Sequence, residues 1–401
     1  MNDKKSREKR DVPITKPCFG PEEERAIREV LRSGWIVQGP RVAEFEGLVA
    51  ACTGARHAIA TSSCTTAQHM ALLAIGIGPG DEVIVPSFTF IATANAVEYT
   101  GARAVFCDID LSTFAIDTGL IEEKITERTK AVCPVHLFGL CADMERILEI
   151  ARRHDLRVVE DAACALGARA GGKHAGTFGV AGCFSFHPRK SITTGEGGML
   201  TTDDDGVAAA CRSLRDHGSS KSDLERHKEG GSLLPGYNII GHNYRMTDLQ
   251  GAIGVVQMGK FEEILRKRRA RADRYDLLLR DLPWLITPAV PAGYEHSYQS
   301  YVCLVDRELF GGSLEKANIF RNRLMASLEE RGIATRQGTH AVHTLGYYRN
   351  RYSIDERDYP NSLEADRLSM TLPLYAEMAD EDQEYVVENL ESTGGDLLCA
   401  V

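Results

Sequence analysis

The chain has 401 residues, of which 43% are hydrophobic and 26% charged, with a formal net charge of −10. That length suits two or three domains, and the apolar share suits a large core. An acidic balance excludes binding that needs a basic face, so neither nucleic acid nor an anionic membrane is an expected partner.

The 11 cysteines are an odd number, run from Cys18 to Cys399 and form no C-x-x-C pair. Their spacing fits neither a disulfide framework nor a metal site, and several lie inside apolar runs. A reducing, cytoplasmic location is expected. Residues 1–16 read as a disordered lead-in, since Met1 to Arg10 is charged and lacks the apolar run of a signal peptide.

Taken in order, Pro21 to Arg32 predicts a helix with Pro21 in its first turn and acidic residues behind it. Arg41 to Cys52 predicts a second. Short apolar strands then alternate with helices. The strands are His57–Thr61, Asp81–Pro86, Ala102–Asp108, Lys130–His136 and Leu156–Glu160. The helices are Ala67–Ile75, Thr89–Tyr99, Gly119–Ile125 and Ala142–His154. This alternation predicts an α/β domain with a mostly parallel sheet covered by helices on both faces.

Cys183–Phe186 and Met199–Thr202 read as two more strands, and Val207–Leu214 as a helix. Gly218 to Gly236 is polar, glycine-rich and expected to be a mobile loop. Two helices, Thr247–Gln257 and Gly259–Leu279, lead into an α+β region. That region holds a Tyr298–Val305 strand, a Leu314–Arg331 helix, a short Ile333–Thr335 strand and an Asp380–Leu390 helix. The expected domains are therefore 17–258 (large, α/β) and 259–401 (small, α+β).

Sites in open parallel sheets lie at the carboxyl ends of the strands. That rule selects Ser62–Thr66, Ser87–Phe90, Asp161–Cys164 and the stretch around Lys190. Small hydroxylated residues opening a helix suit either a simple cap or a phosphate cup. Asp161 suits either a helix cap or a partner for a heterocyclic cation. Lys190 lies between an apolar run and the glycine-rich turn 195–198. It suits either an exposed hairpin tip or an amine whose ammonium is destabilised by burial and so made nucleophilic. Together, amine, carboxylate and phosphate cup are the three anchors of pyridoxal 5′-phosphate.

Seven stretches carry a resemblance to a known family. They are Ser-Gly-Trp-Ile-Val-Gln-Gly-Pro (33–40), Thr-Ser-Ser-Cys-Thr-Thr-Ala (61–67), Gly-Asp-Glu-Val-Ile-Val-Pro-Ser-Phe-Thr-Phe (80–90), Glu-Asp-Ala-Ala (160–163), the run from Phe184 through Lys190 to Met199, Asn-Tyr-Arg-Met-Thr-Asp-Leu-Gln (243–250) and Leu-Pro-Leu-Tyr (372–375). In that order they resemble the DegT/DnrJ/EryC1/StrS sugar aminotransferases, within fold-type I of the pyridoxal phosphate enzymes.

The resemblance implies roles. Lys190 matches the Schiff-base lysine and Asp161 the partner of the pyridine nitrogen. Thr65 and Thr66 match the phosphate cup, Ser185 a hydroxyl on the phosphate, and Phe90 the aromatic stacked on the ring. Asn243 matches an asparagine that reaches the cofactor of the other subunit in a homodimer with shared sites. Cys164 stands where many relatives carry Gln or His against the ring oxygen, and cysteine is a poor donor. The implied activity moves an amino group from L-glutamate to a nucleotide-linked 4-keto- or 3-keto-deoxysugar, for a polysaccharide or glycoside. His187, Arg189, Arg245, His340 and His343 are candidate contacts to the sugar or its diphosphate. The alternatives are a sugar dehydratase, which carries His at the lysine position, an amino-acid lyase of the same fold, and a non-catalytic cofactor-binding regulator.

Overall fold

The computed structural model describes residues 9–221 and 234–399. Seven strands form the main sheet: β1 (His57–Thr61), β2 (Glu82–Pro86), β3 (Arg103–Cys107), β4 (Thr129–Val132), β5 (Arg157–Asp161), β6 (Ala181–Ser185) and β7 (Gly198–Thr202). Their spatial order is β1-β7-β6-β5-β4-β2-β3. The pairs from β6 to β3 are parallel, and β7 runs antiparallel to both neighbours. Every residue of β2 is buried, as a strand covered by helices on both faces requires.

The helices have local causes. α1 (Pro21–Ser33) starts with Pro21 and three glutamates and stops at Gly34, whose φ is +73°. α2 (Pro40–Thr53) and α3 (Cys64–Ala74) follow, then α4 (Ala92–Tyr99). α5 (Met144–Arg153) is capped by Asp143, which accepts from the Arg146 N–H at 3.1 Å. It buries Met144, Ile147, Ile150 and Ala151 on one face. Each isoleucine buried there contributes roughly 2 kcal/mol. α6 (Asp205–Arg215) covers β1 and β7.

The two helices expected between 247 and 279 are one, α7 (Asp248–Leu279), of 32 residues. Thr247 and Gln250 form a reciprocal capping box at its start. Gly259 costs a helix interior about 1 kcal/mol, and packing on both sides of it offsets this. Close approach to α2 depends on Gly251 and Gly254. A Cβ there would lie 2.7 Å from the Val42 nitrogen and 2.8 Å from the Phe45 ring. The expected domain boundary at 258/259 falls inside this rod.

Beyond α7, Leu285–Ile286, Tyr301–Val305 and Ser369–Leu372 form a three-stranded antiparallel sheet. α8 (Leu314–Glu330) and the helix Asp380–Leu398 pack on it around Trp284, Phe320, Leu324 and Leu390.

Four expectations change. Gly119–Ile125 is only a 3₁₀ turn at Glu122–Lys124, because Asp117 accepts from the Gly119 N–H and makes an Asx turn instead. Phe88–Thr89 is a strand paired with His340–Ala341, so the helix starts at Ala92. The strand expected at Ile333–Thr335 is a single bridge from Ile333 to Val12. Val12 itself is fully buried, its N–H donates to the Gly332 carbonyl at 2.8 Å, and residues 13–15 are half-buried, so 12–15 are packed chain while 9–11 and Lys16 are exposed. Most of the loop expected at 218–236 lies outside the described residues.

Candidate active site

Three segments of the main sheet end at one cavity of about 610 Å³. β5 ends in Asp161, β6 runs through Ser185 toward Lys190, and β1 leads into the first turn of α3. Ser63 caps α3 by accepting from the Thr66 N–H at 3.2 Å, so Cys64 and Thr65 form the turn at the cavity wall. The helix dipole there favours an anion. Gly198, at the start of β7, is needed for this turn: a Cβ would lie 2.3 Å from the Ser63 carbonyl carbon and 2.5 Å from the Cys64 nitrogen.

Asp161 is buried, and each of its oxygens has a donor. Oδ1 accepts from the Ala163 N–H at 3.0 Å and Oδ2 from the Thr93 hydroxyl at 2.7 Å. Thr89 then donates to Thr93 at 3.0 Å, completing a chain from the 88–89 strand. Among the described residues Asp161 has no ion pair. A buried carboxylate without a cation is costly. One residue earlier, Glu160 faces the other side and is fully satisfied. It accepts from the amides of Gly176, Phe178 and Gly179 at 2.6–2.7 Å and from His136 Nε2 at 2.8 Å. His136 Nδ1 accepts from the Ala142 N–H, which fixes the proton on Nε2. Glu160 thus pins the end of β5 from beneath.

Lys190 Nζ lies 3.1 Å from Cys164 Sγ. Burial pulls the ammonium's pKa down, but Cys164, Cys64 and Asp161 outweigh it, and the net direction is up. The net depression expected from burial is therefore not found. The lysine is held charged by the sulfur and carboxylate around it. At the entrance, His187 Nδ1 accepts from the Arg189 N–H at 3.2 Å, and burial lowers the histidine's pKa. The Ser185 hydroxyl accepts from the His187 N–H at 3.4 Å.

Of the residues singled out from sequence, the cavity brings together Thr65, Phe90, Asp161, Cys164, Ser185 and Lys190, with His187, Arg189 and His340 around them. Phe90 is 62% exposed, so its ring is free to cover a flat ligand. Four others are not on the cavity wall. The Thr66 hydroxyl and N–H are both engaged with Ser63. Arg245 is drawn into an ion pair with Asp216. Asn243 is exposed and bridges to Asp216. His343 is fully buried, bonded through Nδ1 to Ser87 and through Nε2 to the Glu356 carbonyl at 3.0 Å, so it serves structure.

Sequence reading missed Gln299, Arg336 and Gln68, all on the cavity wall. Gln68 is 2% exposed, and its Oε1 has no partner among the described residues. A polar side chain at an otherwise apolar helix position was the available signal for Gln68. Arg336 and Gln299 lie in connections without a motif.

The site fits pyridoxal phosphate on three observations. A buried carboxylate makes no direct ion pair among the described residues, a glycine-dependent helix turn faces the same cavity, and the Lys190 amine lines it too. The volume falls within the usual range for small-molecule sites.

Comparison with known proteins agrees. The profile of the DegT/DnrJ/EryC1/StrS aminotransferase family matches residues 17–391. The spore coat polysaccharide biosynthesis protein SpsC of Bacillus subtilis is 40% identical over 378 residues, 94% of this chain and 95% of that protein. The aminotransferase TlmJ of Streptoalloteichus hindustanus superimposes with a TM-score of 0.86 at 32% identity, covering 97% of this chain and all of that one. Spr1654 of Streptococcus pneumoniae, assigned as a sugar aminotransferase, gives 0.89 at 29% identity in its PMP form, covering 96% of this chain and 100% of that one. It has also been solved in its PLP form, and pyridoxal phosphate is the cofactor of these enzymes. The chain belongs to the DegT/DnrJ/EryC1/StrS aminotransferase family and is a pyridoxal-phosphate-dependent sugar aminotransferase of fold type I.

Proposed function

We propose that the chain transfers an amino group from L-glutamate to a nucleotide-linked keto-deoxysugar, with the ketone at C-4 or C-3, for the synthesis of a polysaccharide or glycoside. The observation that carries the reading is the convergence of Lys190, Asp161 and the α3 turn on one cavity. The cofactor, when bound, supplies an electron sink that makes a proton next to the transferred nitrogen labile.

The chain's residues supply the rest. Lys190 is the amine that would hold the cofactor, and it is the base placed to move that proton. Asp161, oriented by the Thr93 hydroxyl and the Ala163 amide, is the carboxylate that would face the ring nitrogen and favour its protonated form. The α3 turn, through Thr65 with Ser185, holds the phosphate. The free face of Phe90 covers the ring. Cys164 sits against the lysine amine, so either another group bonds the ring oxygen or the imine alone does.

Arg336 and Arg189 are the substrate-side cations. Among the described residues neither guanidinium has an ion pair, and both line the cavity. A planar guanidinium takes a carboxylate or phosphate bidentately. His187 and His340 complete that wall.

The reading includes a homodimer in which Asn243 serves the second copy's site. Asn243 lies off its own cavity, and Ile239 and Ile240 nearby in sequence are 45% and 91% exposed. It also includes the cytoplasm. All 11 cysteines are free, and no helix among the described residues is long and apolar enough to cross a membrane.

The test is a pair of half-reactions. L-glutamate added to cofactor-loaded protein is expected to bleach the visible absorption band, and a nucleotide-linked 4-keto- or 3-keto-deoxysugar to restore it. Bleaching by glutamate with no recovery on either ketosugar rejects the acceptor; no bleaching rejects the donor.

A further inference from the structure

We propose that the turn 297–299 is a positioning device for the reacting amine, with Gln299 as its contact residue and Arg268 as its anchor. The proposal rests on Lys190 being the cofactor lysine.

Three separate costs meet at this turn. Tyr298 has φ +46°, the left-handed region in which a bulky side chain is strained. Gly139 (φ +107°) leaves room for it, since a Cβ there would lie 2.4 Å from Ser297 Oγ and 3.0 Å from the nitrogens of Tyr298 and Gln299. Arg268, on α7 and 2% exposed, donates from Nε to the Tyr298 carbonyl at 2.9 Å and from Nη2 to the Gln299 carbonyl at 2.6 Å. Burial lowers its pKa to about 10, which leaves it charged at neutral pH. Among the described residues it has no carboxylate partner. A buried cation used only on two carbonyls is an expensive way to hold a loop. The Tyr298 N–H also donates to His296 Nδ1 at 2.7 Å, and the two rings stack at 4.1 Å. Strain of this kind persists where the surroundings over-determine it, and it concentrates at functional sites.

The turn grips the two residues that flank the amine. Ser297 Oγ donates to the Cys164 carbonyl at 3.3 Å, and Cys164 Sγ lies 3.1 Å from Lys190 Nζ. Gln299 Nε2 donates at 2.7 Å to the carbonyl of Arg189, the residue before Lys190. A carbonyl only accepts, so the amide orientation is fixed, and Ser300 donates to Oε1 at 3.1 Å to keep it so. No sheet strand reaches residues 187–190, so their placement depends on such contacts.

Gln299→Glu keeps the shape but sets an acceptor against the Arg189 carbonyl. In the cofactor-loaded protein we expect a folded chain, a modestly lower melting temperature and unchanged cofactor stoichiometry. Altered visible circular dichroism of the cofactor band and a kcat lower by roughly 10- to 100-fold, with KM for both substrates unchanged, are also expected. Arg268→Lys, a point charge that cannot span both carbonyls, is expected to act in the same direction. Should it fail to fold, Gln299→Glu decides alone. A folded, loaded Gln299→Glu protein with wild-type dichroism and kcat overturns the positioning role. Lys190→Ala that keeps the visible band would instead overturn the assignment of Lys190 beneath it.

Discussion

The two halves of the cavity are built by different rules. The cofactor half stands on strand ends: Asp161 closes β5, Lys190 follows β6, and the α3 turn follows β1. Asp161 and the α3 turn are fixed by hydrogen bonds at the strand ends, and Lys190 by contacts from the 297–299 turn. The substrate half is assembled from connections. Arg336 is held by main-chain bonds to Thr371, and His340 by pairing with Thr89. Rigid strand ends suit a cofactor that is the same in every reaction. Connections are where a family varies its substrate.

If that division holds, substitutions in the two halves separate by kind as well as size. Lys190→Ala is expected to cost the most, at least about 10⁴-fold in turnover, because the amine both binds and moves the proton. Asp161→Asn removes the charge opposite the ring nitrogen while keeping shape, and roughly 10²- to 10³-fold of kcat is expected to go with it. Steady-state kinetics on loaded protein checks both. Arg336→Gln belongs to the other half. It is expected to raise KM for one anionic substrate about tenfold, with the cofactor's absorption unchanged. A loss of cofactor in that variant would break the division. Thr93→Val, which removes one of the donors to Asp161, is expected to lower kcat severalfold without moving KM.

Acid tests the surrounding frame. Burial lowers the pKa of His174 to about 4 and of His296 to about 3. Below about pH 6.5 the unfolded chain binds protons at these rings that the folded chain does not, so stability falls as the pH drops from there toward 4. Each contributes on the order of 3 kcal/mol across that window. Melting temperature measured between pH 7 and 4 should fall steadily, and a flat profile would contradict the buried neutral state of both rings.

The strand-end rule explains what was legible in the sequence. Asp161, Lys190 and Thr65 each follow an apolar run, so their convergence could be read from order alone. The substrate half has no such grammar. His343 has the same composition cue as His340, yet one is buried on Ser87 and the other lines the cavity. Arg245 lies within a family motif, but Asp216, 29 residues away, claims it. The direction of the Lys190 shift depended on counting its neighbours. Burial alone predicts a drop, and three nearby groups reverse it. The α7 rod is not legible as one helix, because a glycine at 259 looks like a stop until its packing is known.

The most direct test is chemical. Cofactor-loaded protein is reduced with borohydride, digested, and its peptides are weighed. The account predicts that the cofactor's mass is retained on the peptide carrying Lys190 and nowhere else. Retention on another lysine, or on none, would contradict it.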